Sequence, residues 1–284
     1  MYERIVAGTD MSATARVATD RAHALASALK SELILVNAGK GGDDFEELAK
    51  QYGARAIAED GNPPDVLVSQ CEQLEADLLV VGSVGMSGAR RFLLGSVPNK
   101  VSHHATRDLL IVKTDPPPPN VGEYKRILVG TDGSPTATRA VEMSAQLAKA
   151  LGISPVVVCA YEPLTPQELA QLKTAGDPLT QWKTWGKSQE IPEEFRWRIA
   201  AAAQAEDVLD RAQEHTQKFD VQAEVRAVEG QPAEALLSVA EKEGFDVVAV
   251  GSVGMSGAKR FMLGNVPNRI SHHSPTDVLI FKTA

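Results

Sequence analysis

Residues 82–114 read GSVGMSGARRFLLGSVPNKVSHHATRDLLIVKT, and residues 251–283 read GSVGMSGAKRFMLGNVPNRISHHSPTDVLIFKT. Aligned without gaps, the two stretches are identical at 23 of 33 positions. A repeat of this length and similarity indicates two copies of one structural unit. The chain has 284 residues, which is long enough for two domains that each bury a core of their own.

The beginnings of the two copies also match, because RIVAGTDMS at residues 4–12 corresponds to RILVGTDGS at residues 126–134. Between the copies stand four consecutive prolines, at residues 116–119. Such a run favours an extended conformation and cannot continue a helix or a central strand. The predicted organisation is a first domain over residues 1–114, a linker over residues 115–122 and a second domain over residues 123–284.

Short apolar runs alternate with helical patterns within each copy. Runs that are apolar on both faces are typical of a parallel sheet covered on both sides by helices. Ser12 and Ser96 stand where helices should begin, and we expect both to act as N-caps. The predicted fold is a doubly wound α/β domain, present twice. In the first copy we expect strands at residues 5–7, 33–36, 54–58, 78–81 and 109–112, and helices at residues 12–30, at residues 63–75 and from residue 96 onward.

The two copies differ in the middle. Matching residues are 122 positions apart up to the end of the second strand and 169 apart after the third, so the second copy carries an insertion, at about residues 161–218. It contains a helical pattern at residues 193–218. We expect a covering helix and a loop packed by its own aromatic side chains; a lid or a partner surface is the alternative. The insertion holds the chain's three tryptophans, Trp182, Trp185 and Trp197.

Composition limits the partners and the location. The formal net charge is −8, which disfavours nucleic acid and anionic membrane surfaces as partners. No apolar run approaches the roughly 18 residues of a transmembrane helix, and residues 1–6 do not resemble a secretory signal, so we expect a cytoplasmic protein. Cys71 and Cys159 do not occupy matching positions of the repeat, and we expect both to be ordinary core side chains.

The glycine spacing inside the repeat is the motif that indicates a binding site. Gly82 ends an apolar strand, Gly85 leaves the next loop without a side chain, and Gly95 and Ser96 precede a helical pattern. The first N–H groups of a helix have no partner within the helix, and the helix dipole favours negative charge there. The pattern therefore predicts an anion site, and phosphate is the obvious occupant. The same spacing returns at Gly251, Gly254, Gly264 and Asn265.

An aspartate is expected to face each glycine loop. If the strand order is 3-2-1-4-5, strands one and four are neighbours at the switch point where doubly wound sheets bind ligands. Asp10 then lies beside the loop of Gly82 and Gly85, and Asp132 lies beside the corresponding loop of the second copy. A carboxylate in this position can accept a hydrogen bond from a ribose hydroxyl or an adenine amino group.

Motifs for catalysis and metal binding are absent from the sequence. There is no G-x-x-x-x-G-K-[ST] run, no G-x-G-x-x-G after the first strand and no G-x-S-x-G. His103 and His104 are adjacent on a predicted helix, as are His272 and His273, and adjacent helical residues point in different directions. We therefore expect no metal site and no catalytic residues.

At these residues the sequence resembles the universal stress protein family in its tandem form, whose ATP-binding signature is G-2x-G-9x-G-[S/T]. The resemblance implies a five-stranded parallel sheet in the order 3-2-1-4-5, similar to the adenine nucleotide α-hydrolase fold. It also implies that Asp10 and Ala38 meet adenine, that Gly82 lies near the ribose, and that the phosphates are held by Gly85, Gly95, Ser96 and Val97. The corresponding residues of the second copy are Asp132, Ala160, Gly251, Gly254, Gly264, Asn265 and Val266.

Two departures from the family pattern make the sites unequal. Asn265 replaces the Ser or Thr of the signature, and the first copy is shortened at residues 38–59, where the family usually has a helix near adenine. Residues 95–105 also resemble a branch of the family that binds cyclic AMP. ATP, with or without Mg²⁺, is the expected ligand, and cyclic AMP and AMP are the alternatives.

The last strand of each copy, at residues 108–113 and 277–282, would be a sheet edge. Members of the family commonly pair these edges antiparallel, and a tandem chain can do so internally, which also covers both edges. We expect an intramolecular pseudo-dimer, with a homodimer as a further option. The resemblance implies a nucleotide-responsive stress regulator with unidentified protein partners. A slow ATP-hydrolysing enzyme and an interaction scaffold with decayed sites are the alternatives.

Overall fold

The computed structural model of this protein describes residues 1–84, 94–114, 122–162, 193–254 and 263–282. The ten strands within these ranges are β1 Arg4–Gly8, β2 Glu32–Asn37, β3 Arg55–Ala58, β4 Leu78–Gly82, β5 Asp108–Val112, β6 Ile127–Gly130, β7 Val156–Tyr161, β8 Glu224–Glu229, β9 Val247–Gly251 and β10 Asp277–Phe281. The described helices are α1 Ala13–Leu29, α2 Asp43–Gln51, α3 Pro63–Gln73, α4 Ser96–His104, α5 Pro135–Leu151, α6 Glu193–Gln217, α7 Pro232–Glu243 and α8 Asn265–His273.

These strands form one sheet in the order β3-β2-β1-β4-β5-β10-β9-β6-β7-β8. Each half has the order 3-2-1-4-5 with parallel pairing, as predicted. β1 is apolar and fully buried at Ile5, Val6 and Ala7, because helices cover both faces of the sheet. The first strand is the central one in each half, and the switch point lies between it and the fourth strand, where the predicted sites begin.

The halves join through their last strands. β5 and β10 pair antiparallel, with Leu110 opposite Leu279. This pairing confirms the predicted pseudo-dimer and closes the two edges that would otherwise be open. The predicted linker falls almost entirely on residues 115–121, which lie outside the described residues.

A pair of buried carboxylates lies at this junction. Asp277 accepts hydrogen bonds from the hydroxyl of Tyr124 at 2.8 Å and from the backbone N–H of Lys113 at 2.8 Å. It also accepts from Nε of Arg21, on α1 of the other half, at 3.0 Å. Burial raises the pKa of the Asp277 carboxyl, and the Arg21 charge opposes that rise.

Asp108, on β5, makes the corresponding contacts, with the roles of the two halves exchanged. It accepts from the hydroxyl of Tyr2 at 3.1 Å and from the backbone N–H of Lys282 at 2.9 Å. Arg139, on α5, donates to both of its oxygens, at 2.8 and 3.0 Å. The junction therefore combines sheet pairing with two crossed ion pairs.

Helix beginnings differ from the expectation at one of two serines. Ser12 is the N-cap of α1, and its side chain accepts from the N–H of Ala15, as predicted. The expectation that Ser96 caps α4 is wrong. Gly95 is the N-cap, because it has extended dihedral angles and no side chain, and Ser96 is already the first helical residue. α4 consequently begins without a side-chain cap hydrogen bond.

The insertion contributes α6, which packs on α5, β7 and β8. Ala205, Leu209 and Ala212 are buried in the core that α5 also forms, so this part of the insertion is a covering helix. Trp182 and Trp185 lie outside the described residues, as does the side chain of Trp197. In the first half α2 occupies the shortened stretch, although the sequence did not predict a helix there.

Both cysteines are free and buried, as expected for core side chains. Burial raises the pKa of the Cys71 thiol to about 12. Among the described helices, none combines the length and apolar character needed to cross a membrane.

Candidate functional site

A cavity of about 400 Å³ opens in the first half, where the carboxyl ends of β1, β2 and β4 meet the beginnings of α1, α3 and α4. Six of the seven predicted site residues of this half line it. Gly85 is the exception, because it lies outside the described residues. The predicted residues that line the cavity are Asp10, Ala38, Gly82, Gly95, Ser96 and Val97.

The loop after β1 presents Asp10 to this cavity. Asp10 is exposed, and its Oδ1 accepts from the backbone N–H of Ser12 at 3.0 Å and from the Ser12 hydroxyl at 2.5 Å. The intervening residue, Met11, has a φ of 62°, so the backbone turns sharply here. The carboxylate is thereby fixed at the mouth of the cavity.

Asn37 is a site residue that the sequence analysis missed. It is the last residue of β2, it is buried, and it lines the cavity. Its Nδ2 donates to the carbonyl of Thr9 at 2.8 Å, which ties the end of β2 to the loop that carries Asp10. A polar residue at the end of the otherwise apolar run of β2 was the available signal, because a buried amide requires a partner.

Little room for side chains remains at the two glycines of the opposite wall. A Cβ on Gly82 would lie 3.2 Å from Cγ2 of Thr114 and 3.4 Å from the carbonyl oxygen of Val84. A Cβ on Gly95 would lie 3.2 Å from the carbonyl oxygen of Ser83. The N–H of Gly95 donates to that carbonyl at 2.8 Å and so fixes the entry to α4.

The first turn of α4 is the anion-binding element of the cavity. The N–H groups of Ser96 and Val97 precede the first intrahelical hydrogen bond, which runs from Asn99 to Gly95. Pro98 lacks an N–H group and takes a first-turn position without loss. With no side-chain cap, the positive end of the helix dipole faces the cavity.

The remaining lining is mostly apolar. Val36, Pro63 and Leu67 contribute side chains from β2 and α3. Among the described lining residues there is one carboxylate, Asp10, and no lysine, arginine or histidine. Such a surface suits a flat aromatic ring whose charged group reaches the start of α4.

The second half brings the predicted residues together differently. Asp132 is half-buried, and its Oδ1 accepts from the N–H of Ser134 at 3.0 Å. A Cβ on Gly254 would lie only 2.8 Å from Oδ2 of Asp132, so the loop after β9 contacts this carboxylate. The insertion reaches the other side of the same turn, since a Cβ on Gly133 would lie 3.1 Å from Val208.

The other predicted residues of this half lie in the corresponding places. Ala160 is half-buried near the end of β7, and Cys159 stands where the first half has Asn37. Burial and the charge of Asp132 raise the pKa of the Cys159 thiol to about 11. Gly264 is the N-cap of α8, and Asn265 and Val266 are its first helical residues.

The described residues contain no group of three His, Cys, Asp or Glu side chains that could hold a metal ion. His103 and His272 are half-buried, whereas His104 and His273 are exposed. Asp10 is the single carboxylate among the described residues that line the cavity, and Mg²⁺ is usually bound through one or two carboxylates together with substrate phosphates and water. A Mg²⁺ ion that accompanies a nucleotide would take most of its ligands from phosphate and water.

Comparison with known proteins gives consistent matches. The sequence profile of the universal stress protein family matches residues 38–113 and 123–282. The universal stress protein Rv1636 of Mycobacterium tuberculosis is 30% identical over 161 residues, which are 56% of this chain and 97% of that protein.

Solved structures are similar as well. A universal stress protein from Archaeoglobus fulgidus is 18% identical, with a TM-score of 0.63, and the match covers 99% of both chains. A universal stress protein solved in complex with cAMP is 28% identical over 57% of this chain and 99% of its own, with a TM-score of 0.40.

Proposed function

The chain belongs to the universal stress protein family, and we propose that it is a stress-response regulator that binds an adenine nucleotide, ATP first among them, in the cleft of its first half. One observation supports this most directly. The uncapped first turn of α4 opens into a cavity of about 400 Å³, within the size range of small-molecule sites.

Each part of a nucleotide has a matching surface in this cleft. The phosphates would accept from the N–H groups of Ser96 and Val97 at the start of α4. The base would lie against Ala38 and Leu67, and the ribose would lie between Asp10 and Gly82. This assignment agrees with the roles that family resemblance implies for the same positions.

We propose further that the protein has little catalytic activity. Fast phosphoryl transfer usually needs carboxylates for the metal, a positioned lysine or arginine, and a group that orients the nucleophile. Asp10 is the single ionisable side chain among the described lining residues. Binding would therefore act through the order of the surrounding loops or through affinity for protein partners, in the cytoplasm.

Cyclic AMP is the second candidate ligand. The described lining supplies no cationic side chain, and the start of one helix offers about half a positive charge. Such a site could hold the single phosphodiester charge of cyclic AMP without a further cation. ATP would need additional neutralisation, from Mg²⁺ or from side chains beyond the described lining.

Isothermal titration with ATP, ADP, AMP and cyclic AMP tests the proposal. We expect at least one of them to bind with a Kd below the millimolar range, and competition between ATP and cyclic AMP ranks the two candidates. Absence of binding by all four at millimolar concentration would contradict the proposal. ATP turnover above about 1 s⁻¹, typical of a kinase, would show that the protein is an enzyme.

A further inference from the structure

The two halves share a glycine spacing, yet their clefts differ in the contact that crosses them. In the second half, the Thr136 hydroxyl at the start of α5 donates to the carbonyl of Val253, in the loop after β9. The corresponding residue of the first half is Thr14. Both threonine hydroxyls lie near the N-cap serine of their own turn, at 3.0 Å from Ser12 for Thr14 and at 3.3 Å from Ser134 for Thr136, so the contact with the carbonyl is the difference. Among the described residues, the second cleft therefore has a hydrogen bond from the first helix to the loop after the fourth strand that the first cleft lacks.

The glycines of the second half confirm this closer approach. A Cβ on Gly251 would lie 2.8 Å from the carbonyl carbon of Thr136, which means that β9 touches the backbone of α5. A Cβ on the corresponding Gly82 would lie 3.2 Å from Cγ2 of Thr114 and 3.8 Å from Cβ of Ala18, the nearest atom of α1. The glycine that ends the fourth strand thus meets the first turn of the first helix in the second half, at Thr136, whereas in the first half it meets that helix one turn later, at Ala18.

Burial is greater in the second half at three matched positions, although Val253 is half-buried where Val84 is buried. Gly251 is buried, whereas Gly82 is half-buried. Thr136 is buried, whereas Thr14 is half-buried. The carboxylates follow the same trend, since Asp132 is half-buried and Asp10 is exposed.

Two substitutions change the polar groups of the second cleft. Cys159 replaces Asn37, so the amide that ties the end of β2 to the loop after β1 has no counterpart. Asn265 replaces Ser96 as the first residue of the last helix. Neither replacement supplies a cation that could compensate for the closed approach.

We propose that the chain binds one nucleotide, in its first half, and that the second half keeps its cleft shut through the Thr136–Val253 bridge and the contact of Asp132 with Gly254. This inference rests on the proposed function. The second half then serves as a structural partner, whose β10 covers the edge of the half that binds.

Binding stoichiometry tests the inference. Titration of the whole chain with ATP, and separately with cyclic AMP, should give one equivalent per chain for whichever nucleotide binds. Two equivalents would overturn the inference and leave the proposed function standing. Zero equivalents for both nucleotides would overturn both, so the two failures are distinguishable.

A substitution that fills the first cleft tests whether the single bound nucleotide lies in the first half. Ala38→Trp fills the cavity, and we expect it to weaken ATP binding at least 10-fold and to leave no residual equivalent. Glu46→Trp, on the exposed face of α2, is the matched control for adding an indole to this half. A remaining equivalent of undiminished affinity in folded Ala38→Trp would overturn the inference.

Photo-crosslinking of the unmodified chain gives the location without any substitution. We expect 8-azido-ATP to label peptides from residues 1–114 and to be displaced by ATP. Displaceable label on peptides from residues 123–284 would overturn the inference, whatever the fate of the Ala38 variant.

Discussion

Nε of Arg21 lies 3.0 Å from Oδ2 of Asp277, and the two side chains, which belong to different halves of the chain, are each only 1% exposed. The guanidinium also lies over the ring of Tyr124, with 4.2 Å between Cζ and the ring centroid. The junction between the halves is therefore fixed by a desolvated ion pair in addition to the β5–β10 pairing.

Removal of one partner should be costly. We expect Arg21→Leu to lower the free energy of unfolding by about 3 kcal/mol, because breaking a buried pair leaves an uncompensated buried charge. The double variant Arg21→Leu with Asp277→Asn should recover part of that loss. The measurement is urea-induced unfolding followed by circular dichroism.

Arg139→Leu provides the matched control for this prediction. Its side chain is 34% exposed, so solvent screens its pair with Asp108, and we expect a smaller loss of stability than for Arg21→Leu. Equal losses for the two arginine variants would show that burial of the pair does not determine its contribution.

Acidification should weaken the fold through two histidines near the junction. Burial, followed by the neighbouring charges of Lys282 and His104, lowers the pKa of His103. Burial likewise lowers the pKa of His272, with His273, His103 and Lys113 as the nearby charges. The unfolded chain then takes up protons near pH 6.5, before the folded chain does, so stability falls as pH drops below that value.

The double variant His103→Gln with His272→Gln tests this pH dependence. We expect the urea midpoint of the unmodified chain to be lower at pH 5.5 than at pH 7.5, and the difference to shrink in the double variant. Carboxylates contribute mainly at lower pH, so the comparison isolates the histidines. A pH dependence that is unchanged in the double variant would contradict the assignment.

Asn37 should position the loop that carries Asp10. In Asn37→Leu the carbonyl of Thr9 loses its donor at 2.8 Å, and a buried acceptor left without a partner costs about 1–3 kcal/mol. This cost affects the free and the bound protein alike, but the loop that carries Asp10 would be held less firmly. We therefore expect the Kd for the bound nucleotide to rise about 10-fold, which corresponds to about 1.4 kcal/mol of binding free energy.

Asn37→Gln is the comparison variant, because it keeps the amide but displaces it by one methylene group. Partial retention of affinity in this variant, with Asn37→Leu weaker, would agree with a positioning role. Unchanged affinity in folded Asn37→Leu would refute it.

The sheet could be predicted from sequence because its signals are local and repeated. Continuous apolar runs marked the strands, and the duplicated segment at residues 82–114 and 251–283 marked the two halves and their edges. α2 was missed because its nine residues include five charged ones, which leaves only a short apolar stripe at Phe45, Leu48 and Ala49.

The differences between the sites could not be predicted from the motif. Whether the loop after β9 touches Asp132 depends on where the start of α5 lies relative to β9, and a conserved glycine spacing does not determine that distance. The predicted start of α4 was wrong by one residue. The N-cap is Gly95, whose dihedral angles are extended, so Ser96 is already helical.

Ser96 offers a test in which stability and binding should change in opposite directions. Ser96 is the exposed first residue of α4, and its side chain does not cap the helix. In Ser96→Asp a negative charge would stabilise the helix dipole by about 0.3–1 kcal/mol. The same charge would occupy the position that phosphate needs, so we expect nucleotide affinity to fall at least 10-fold while the urea midpoint rises.

Asn265→Asp, at the matching position of α8, should raise the midpoint by a similar amount and serves as the stability control. A Ser96→Asp chain that gains stability and still binds its nucleotide with unchanged affinity would show that the phosphate does not lie at the start of α4.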